Sequence, residues 1–170
     1  EESLNVLLNA VRHAEKTKGV LLIPSFSLDR TQIILSLLDR AISENRCPAV
    51  PIFMDSPLAA KVTDVYRENS SFLREDIRNR LTSGDDPFSF HSLQVTIHDT
   101  ESQVIEHTKS PKVIIAGAGM SHGGRIRRHE KTFLPDKNTT LLLVGYQVAG
   151  SLGRRLRDGA KSVNIDGVEV

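Results

Sequence analysis

At 170 residues the chain has the length of one domain with room for a packed core. Its single cysteine, Cys47, excludes an internal disulfide, no apolar run is long enough to span a membrane, and nothing reads as a signal peptide. The formal charge is only +1, but residues 112–170 hold ten Lys and Arg against five Asp and Glu, while residues 1–111 hold twelve against sixteen. A basic second half suggests a polyanionic partner, or solvated surface charge. Aromatic content of 5% without tryptophan argues against an extended stacking platform for single strands.

In chain order, Leu4, Val6, Leu7, Leu8, Ala10, Val11 and Ala14 recur at helical spacing and predict a helix over 3–17. Gly19 stops it. Val20-Leu21-Leu22-Ile23 reads as a buried strand, and Pro24-Ser25-Phe26-Ser27 as a turn. Ser27 is the expected cap of a helix from Leu28 to about Asn45, burying Ile33, Ile34, Leu37, Leu38 and Ala41. Cys47, in a loop before Pro48, reads as structural. A strand follows over 49–54, then Asp55-Ser56-Pro57, with Ser56 as cap and Pro57 at the first position of a helix reaching Tyr66.

A charged helix is expected over 72–80, and a poorly ordered polar loop over 82–92. Residues 93–98 alternate weakly as a strand, and Thr100 caps a helix to His107, with Gln103 three places on.

Val113-Ile114-Ile115-Ala116 is a short apolar run suited to a sheet covered on both faces. Gly117, Gly119, Gly123 and Gly124 follow, and a helix is expected from about Gly123 to Phe133. Glycines there allow positive φ and close approach of a ligand, and a helix N-terminus favours an anion. Arg125, Arg127 and Arg128 would oppose the helix dipole by roughly 0.3–1 kcal/mol each, a sign that a bound phosphate reverses. The alternative is that they simply reach solvent. Residues 140–144 read as a strand and Gly145–Ser151 as a second glycine-bounded turn. A helix is then expected over 152–157, a strand over 161–165, and a hairpin turn at Asp166-Gly167. Alternating strands and helices predict an α/β, doubly wound, mostly parallel sheet with helices on both faces. Its ligand edge carries the turns Pro24–Ser27, Asp55–Pro57, Gly117–Gly124 and Gly145–Ser151.

Several chemistries fail on spacing. Gly117-x-Gly119 is followed by His122 where a dinucleotide fingerprint needs glycine, and no acid ends the next strand. No Gly-Lys-Ser/Thr makes a phosphate loop, and no G-x-S-x-G makes a nucleophile elbow. The histidines form no short-spaced metal motif. His13 and His129 read as surface residues of helices. His122, in the glycine turn, is the one positioned to meet a ligand, the alternative being a solvated loop residue, and Asp55 reads as a capping acid.

Four stretches together resemble one family. They are Ile23-Pro24-Ser25-Phe26-Ser27-Leu28-Asp29-Arg30-Thr31-Gln32, Met54-Asp55-Ser56-Pro57-Leu58-Ala59, Gly119-Met120-Ser121-His122-Gly123-Gly124-Arg125, and Val144–Arg154. In this order and spacing they resemble the β-CASP domain, a Rossmann-like insertion in the metallo-β-lactamase fold of RNA- and DNA-processing nucleases. The resemblance implies that residues 1–170 are one such domain, excised from a larger protein. The parent would hydrolyse phosphodiesters with two zinc ions. None of the family's metal motifs is matched here, so no catalytic or metal-ligating residue is expected and the fragment itself should be inactive. The domain would cap a metallo-β-lactamase domain and hold the phosphate backbone of RNA, or of DNA. Ser121, His122, Gly123, Gly124 and Arg125 would form the main nest, aided by Arg30, Tyr146, Gln147, Ser151 and Arg154. A cytoplasmic location and a possible homodimer are further expectations, with no membrane contact. The alternatives are a non-catalytic binding or scaffold module, or a nucleotide-binding Rossmann-like domain.

Overall fold

The computed structural model describes residues 2–170. Five strands form one all-parallel sheet: β1 (Val20–Pro24), β2 (Ile52–Asp55), β3 (Leu93–Thr96), β4 (Lys112–Ala116) and β5 (Thr140–Leu141), in the order β3-β2-β4-β1-β5. The central strands β1, β2 and β4 are buried along their whole length, the pattern of a sheet covered on both sides.

Alternate residues of each strand enter different cores. Leu21, Ile23, Ile52, Met54, Val113 and Ile115 pack under α1 (Glu2–Thr17), α2 (Arg30–Ser43) and α3 (Pro57–Glu68). Leu22, Phe53, Ile114 and Ala116 face α5 (Asp99–His107) and α6 (Ile126–Phe133) through Ile105 and Ile126. A third cluster joins α7 (Leu152–Arg157) to an antiparallel hairpin, β6 (Asn164–Ile165) and β7 (Val168–Glu169), turned at Asp166-Gly167 as the sequence predicts.

The chain leaves β1 and β2 toward one face, and β3 and β4 toward the other. The loop after β4 therefore exits opposite to the loops on either side of it, which is the switch point of an open α/β sheet. Because every strand runs the same way, all these loops share the carboxyl edge.

Several elements depart from expectation. Ser27 does not cap α2. The helix starts later, behind Asp29 at φ +68°, because Thr31 Oγ1 donates to Phe26 O and Gln32 Nε2 to Ser27 O, holding the loop open. The buried face of α2 uses Leu35, while Ile33 is exposed and Leu37 half-buried. The charged helix over 72–80 divides into a 3₁₀ turn (Ser70–Phe72) and α4 (Glu75–Thr82). The loop over 82–92 is pinned by buried Phe88 and by ion pairs of Arg67 with Asp86 and Arg80 with Asp85. Glu101, not Gln103, reaches back from the first turn of α5, accepting from Ile97 N and His98 N. Residues 140–144 form only a two-residue strand, half-buried at the sheet's edge. No helix among the described residues is long and apolar enough to cross a membrane.

Candidate functional site

The glycine turn after β4 lies at the switch point. Gly117 borders Ser25 O and the Ser27 and Ser56 hydroxyls of the two flanking loops, and those hydroxyls are 3.3 Å apart. Ser56 also caps α3 by accepting from Ala59 N at 3.2 Å, as its sequence position predicts. Gly124 has φ +73°, and a Cβ there would stand 2.4 Å from Gly117 O, so only glycine closes this turn.

Helix α6 starts at Ile126 rather than near Gly123, and its first amides are already used. Ile126 N donates to Gly117 O, Arg127 N to Gly124 O, and Arg128 N to Arg125 O. Ala118 N and Ser121 N close the turn on Gly123 O and Ala118 O. The turn is thus built by its own amides.

The expected contact residues divide by direction. Ser121 is wholly buried and its hydroxyl donates to the Glu130 carboxylate. Gln147 is equally buried, and its amide donates to Gly119 O and Gly145 O, stitching two rim loops together. Arg125 turns toward the sheet and pairs with Asp55 at 2.7 Å and Asp99 at 2.9 Å, with Ile97 O as a further acceptor. These three shape the rim from within. Outward stand His122, Gly124, Tyr146 and Arg30, all exposed, with Gly123, Ser151 and Arg154 half-exposed. Arg30 has no ion pair among the described residues, whereas Arg154 pairs with Asp158 at 2.6 Å and Ser151 caps α7.

An acid and a histidine read as a cap and a surface residue in the sequence lie at the centre of a buried polar cluster. Asp55 is buried and accepts four hydrogen bonds: Thr96 and Arg125 on Oδ1, Ser102 and His129 on Oδ2, all within 2.5–2.7 Å. Burial alone would raise its pKa. The hydrogen bonds of His129, Ser102, Thr96 and Arg125 outweigh burial and hold the carboxyl well below the usual range. An ionised Asp55 accepts only, so His129 carries its proton on Nε2. His129 is therefore a core residue and not a surface one, and Asp55 is a hub and not a cap. Glu130, beside it on α6, is also buried, and burial pushes its carboxyl up to about 7 against the lowering effect of Ser121. A signal existed: His129 and Glu130 follow Ile126 by three and four places, which puts them on the face that helix buries. Cys47 is buried, and burial raises its thiol to about 11, in keeping with a structural role.

The donor set does not fit a metal ion. Among the described residues no three His, Cys, Asp or Glu converge. The Asp55–His129 pair has all its carboxylate positions filled, one by a guanidinium that would repel a cation.

The fold defines an α/β, doubly wound protein with its glycine turns at the carboxyl ends of a parallel sheet. Residues 31–156 match the Beta-Casp domain model, and the chain belongs to that family. It is similar to the protein named Ribonuclease TTHA0252 of Thermus thermophilus, at 34% identity over 99% of this chain and 39% of the relative. It is also similar to the transcription termination factor FttA of Methanosarcina mazei, at 30% over 92% of this chain and 25% of the relative. An RNase J-like protein of Methanocaldococcus jannaschii matches at 30% over 92% of this chain and 35% of the relative. The chain thus spans well under half the length of these relatives.

Proposed function

We propose that this chain is the substrate-binding cap of a nuclease that hydrolyses RNA, acting beside a metallo-β-lactamase domain in a longer polypeptide. The observation that carries this reading is the outward rim: Arg30, His122, Gly123, Gly124 and Tyr146 stand on one sheet edge of a Beta-Casp domain. A relative's name, ribonuclease, supports RNA as the polyanion. Arg30 supplies charge without an internal partner. His122 and the exposed backbone of Gly123 and Gly124 supply donors to phosphate oxygens, and Ser151 and Arg154 extend the strip toward α7.

Ser121, Gln147 and Arg125 hold this edge in shape, so the proposed grip passes to their exposed neighbours. Hydrolysis is assigned to residues outside this chain. The two zinc ions that the family resemblance implies have no suitable donor set among the described residues. A cytoplasmic setting is consistent with a lone buried thiol.

The test is equilibrium binding of the full chain to single-stranded RNA across a salt series. Affinity is expected to fall steeply with salt and to depend little on sequence. The chain alone, with added zinc, is expected to leave the RNA uncut. Salt-independent or absent binding would overturn the RNA reading in favour of a scaffold role, and zinc-dependent cleavage by pure chain would overturn the division of labour.

A further inference from the structure

Phe26 is 41% exposed although its side chain lies in a prepared seat. A Cβ at Gly119 would come within 2.8 Å of ring atoms Cδ2 and Cε2, and one at Gly145 within 3.7 Å of Cε2. Two rim turns, after β4 and after β5, therefore lack side chains where the ring from the β1 loop rests. The ring's backbone is fixed as well: Thr31 Oγ1 donates to Phe26 O at 2.7 Å. Gln147 ties the two glycine turns to each other through Gly119 O and Gly145 O.

A core phenylalanine needs such a seat because it is being buried. Here the seat leaves Phe26 substantially exposed, and the turn that contributes Gly145 goes on to Tyr146, which is 69% exposed, and Val148, which is 47% exposed. The rim thus presents a seated apolar, flat surface on the same sheet edge as exposed Arg30 and His122. A rigid ring pays little entropy when a planar ligand lands on it.

We propose that Phe26, with the exposed Tyr146 on the adjoining turn, is a base-stacking site, so that the rim holds a nucleobase as well as phosphate. This rests on the RNA reading above and deepens it by naming the part of the nucleotide that is held. Low aromatic content excludes an extended platform, but it does not limit a single base seated on one or two rings. Stacking has no hydrogen-bond readout, so the site accepts any of the four bases. It favours unpaired strands, whose base faces are free.

The experiment compares two probes on the full chain: a short single-stranded RNA and the same backbone made abasic. Phe26→Leu keeps apolar volume in the seat and removes the flat ring. It is expected to weaken the ordinary strand about tenfold and to leave the abasic strand and the salt slope unchanged. Arg30→Gln should weaken both strands alike and reduce the salt slope. Phe26→Trp gives the chain its only tryptophan, whose fluorescence should be quenched by the ordinary strand and not by the abasic one. Unfolding midpoints confirm that each variant is folded, and Phe26→Tyr should restore ordinary binding if Phe26→Leu proves unstable. The proposal is overturned if Phe26→Leu binds the ordinary strand as the parent does, or loses both strands equally while salt-dependent binding persists. Absence of salt-dependent binding in the parent chain is a different result: it overturns the RNA reading itself, and stacking with it.

Discussion

Asp55 Oδ2 and His129 Nε2 lie 2.7 Å apart, both side chains wholly buried and 74 residues distant in sequence. Asp55 ends the central strand β2, and His129 lies one turn into α6 on one face of the sheet. Their contact, with Thr96, Ser102 and Arg125 on the same carboxylate, ties the loops after β2, β3 and β4 into one edge. The rim is rigid because its polar groups are spent on each other.

Asp55→Asn should therefore be among the most damaging single changes. The amide nitrogen would face donors, and Arg125 would lose its buried counter-charge. A loss of roughly 3–5 kcal/mol is expected, read as a lower urea midpoint with an unchanged slope. A loss under about 1 kcal/mol would show that the hub is not structural.

Arg125→Ala and Arg30→Ala should separate scaffold from surface. Arg125 is only 17% exposed and bonded on both guanidinium ends. Its removal is expected to cost roughly 2–4 kcal/mol by stranding Asp55. Exposed Arg30 should leave the midpoint within about 0.5 kcal/mol and lower RNA affinity instead. Equal stability effects would contradict the division of the rim into inward and outward residues.

Glu130 makes stability depend on pH. Burial raises its folded pKa from an ordinary 4.5 to about 7. Between those values the folded state holds a proton that the unfolded state has lost, so unfolding free energy falls as pH rises through this window. The cost approaches about 3 kcal/mol above neutrality. Glu130→Gln keeps the contact with Ser121 and removes the ionisation. Its stability relative to the parent should rise by about that amount from mildly acidic to mildly basic pH, measured by urea unfolding at each pH. A difference that stays flat across the series would disprove the buried titration.

Gly124→Ala and Gly150→Ala compare two positive-φ glycines. Both have φ near +80°, but only Gly124 would drive a Cβ into backbone, at Gly117 O. Gly150→Ala should cost about 1 kcal/mol of conformational strain, and Gly124→Ala clearly more, because the bond from Ile126 N to Gly117 O must also give way. Thermal unfolding of the pair decides it, and equal shifts would mean that the turn can relax.

The sequence alone determined the architecture. Apolar runs of four or five residues, glycine turns and helical periodicity are local signals, so they specified the parallel α/β sheet, the Ser56–Pro57 start of α3 and the Asp166-Gly167 hairpin. The four motif stretches, read by order and spacing, were enough for the family. Which polar residues point inward was decided only in three dimensions. Asp55 looks like a cap until Thr96, Ser102, Arg125 and His129 arrive from three other segments, and Ser121 looks like a ligand contact until Glu130 meets it under the turn. A lone charged residue carries no periodicity. Its burial depends on partners distant in the chain, whose electrostatic compensation exists only once the sheet has brought them together.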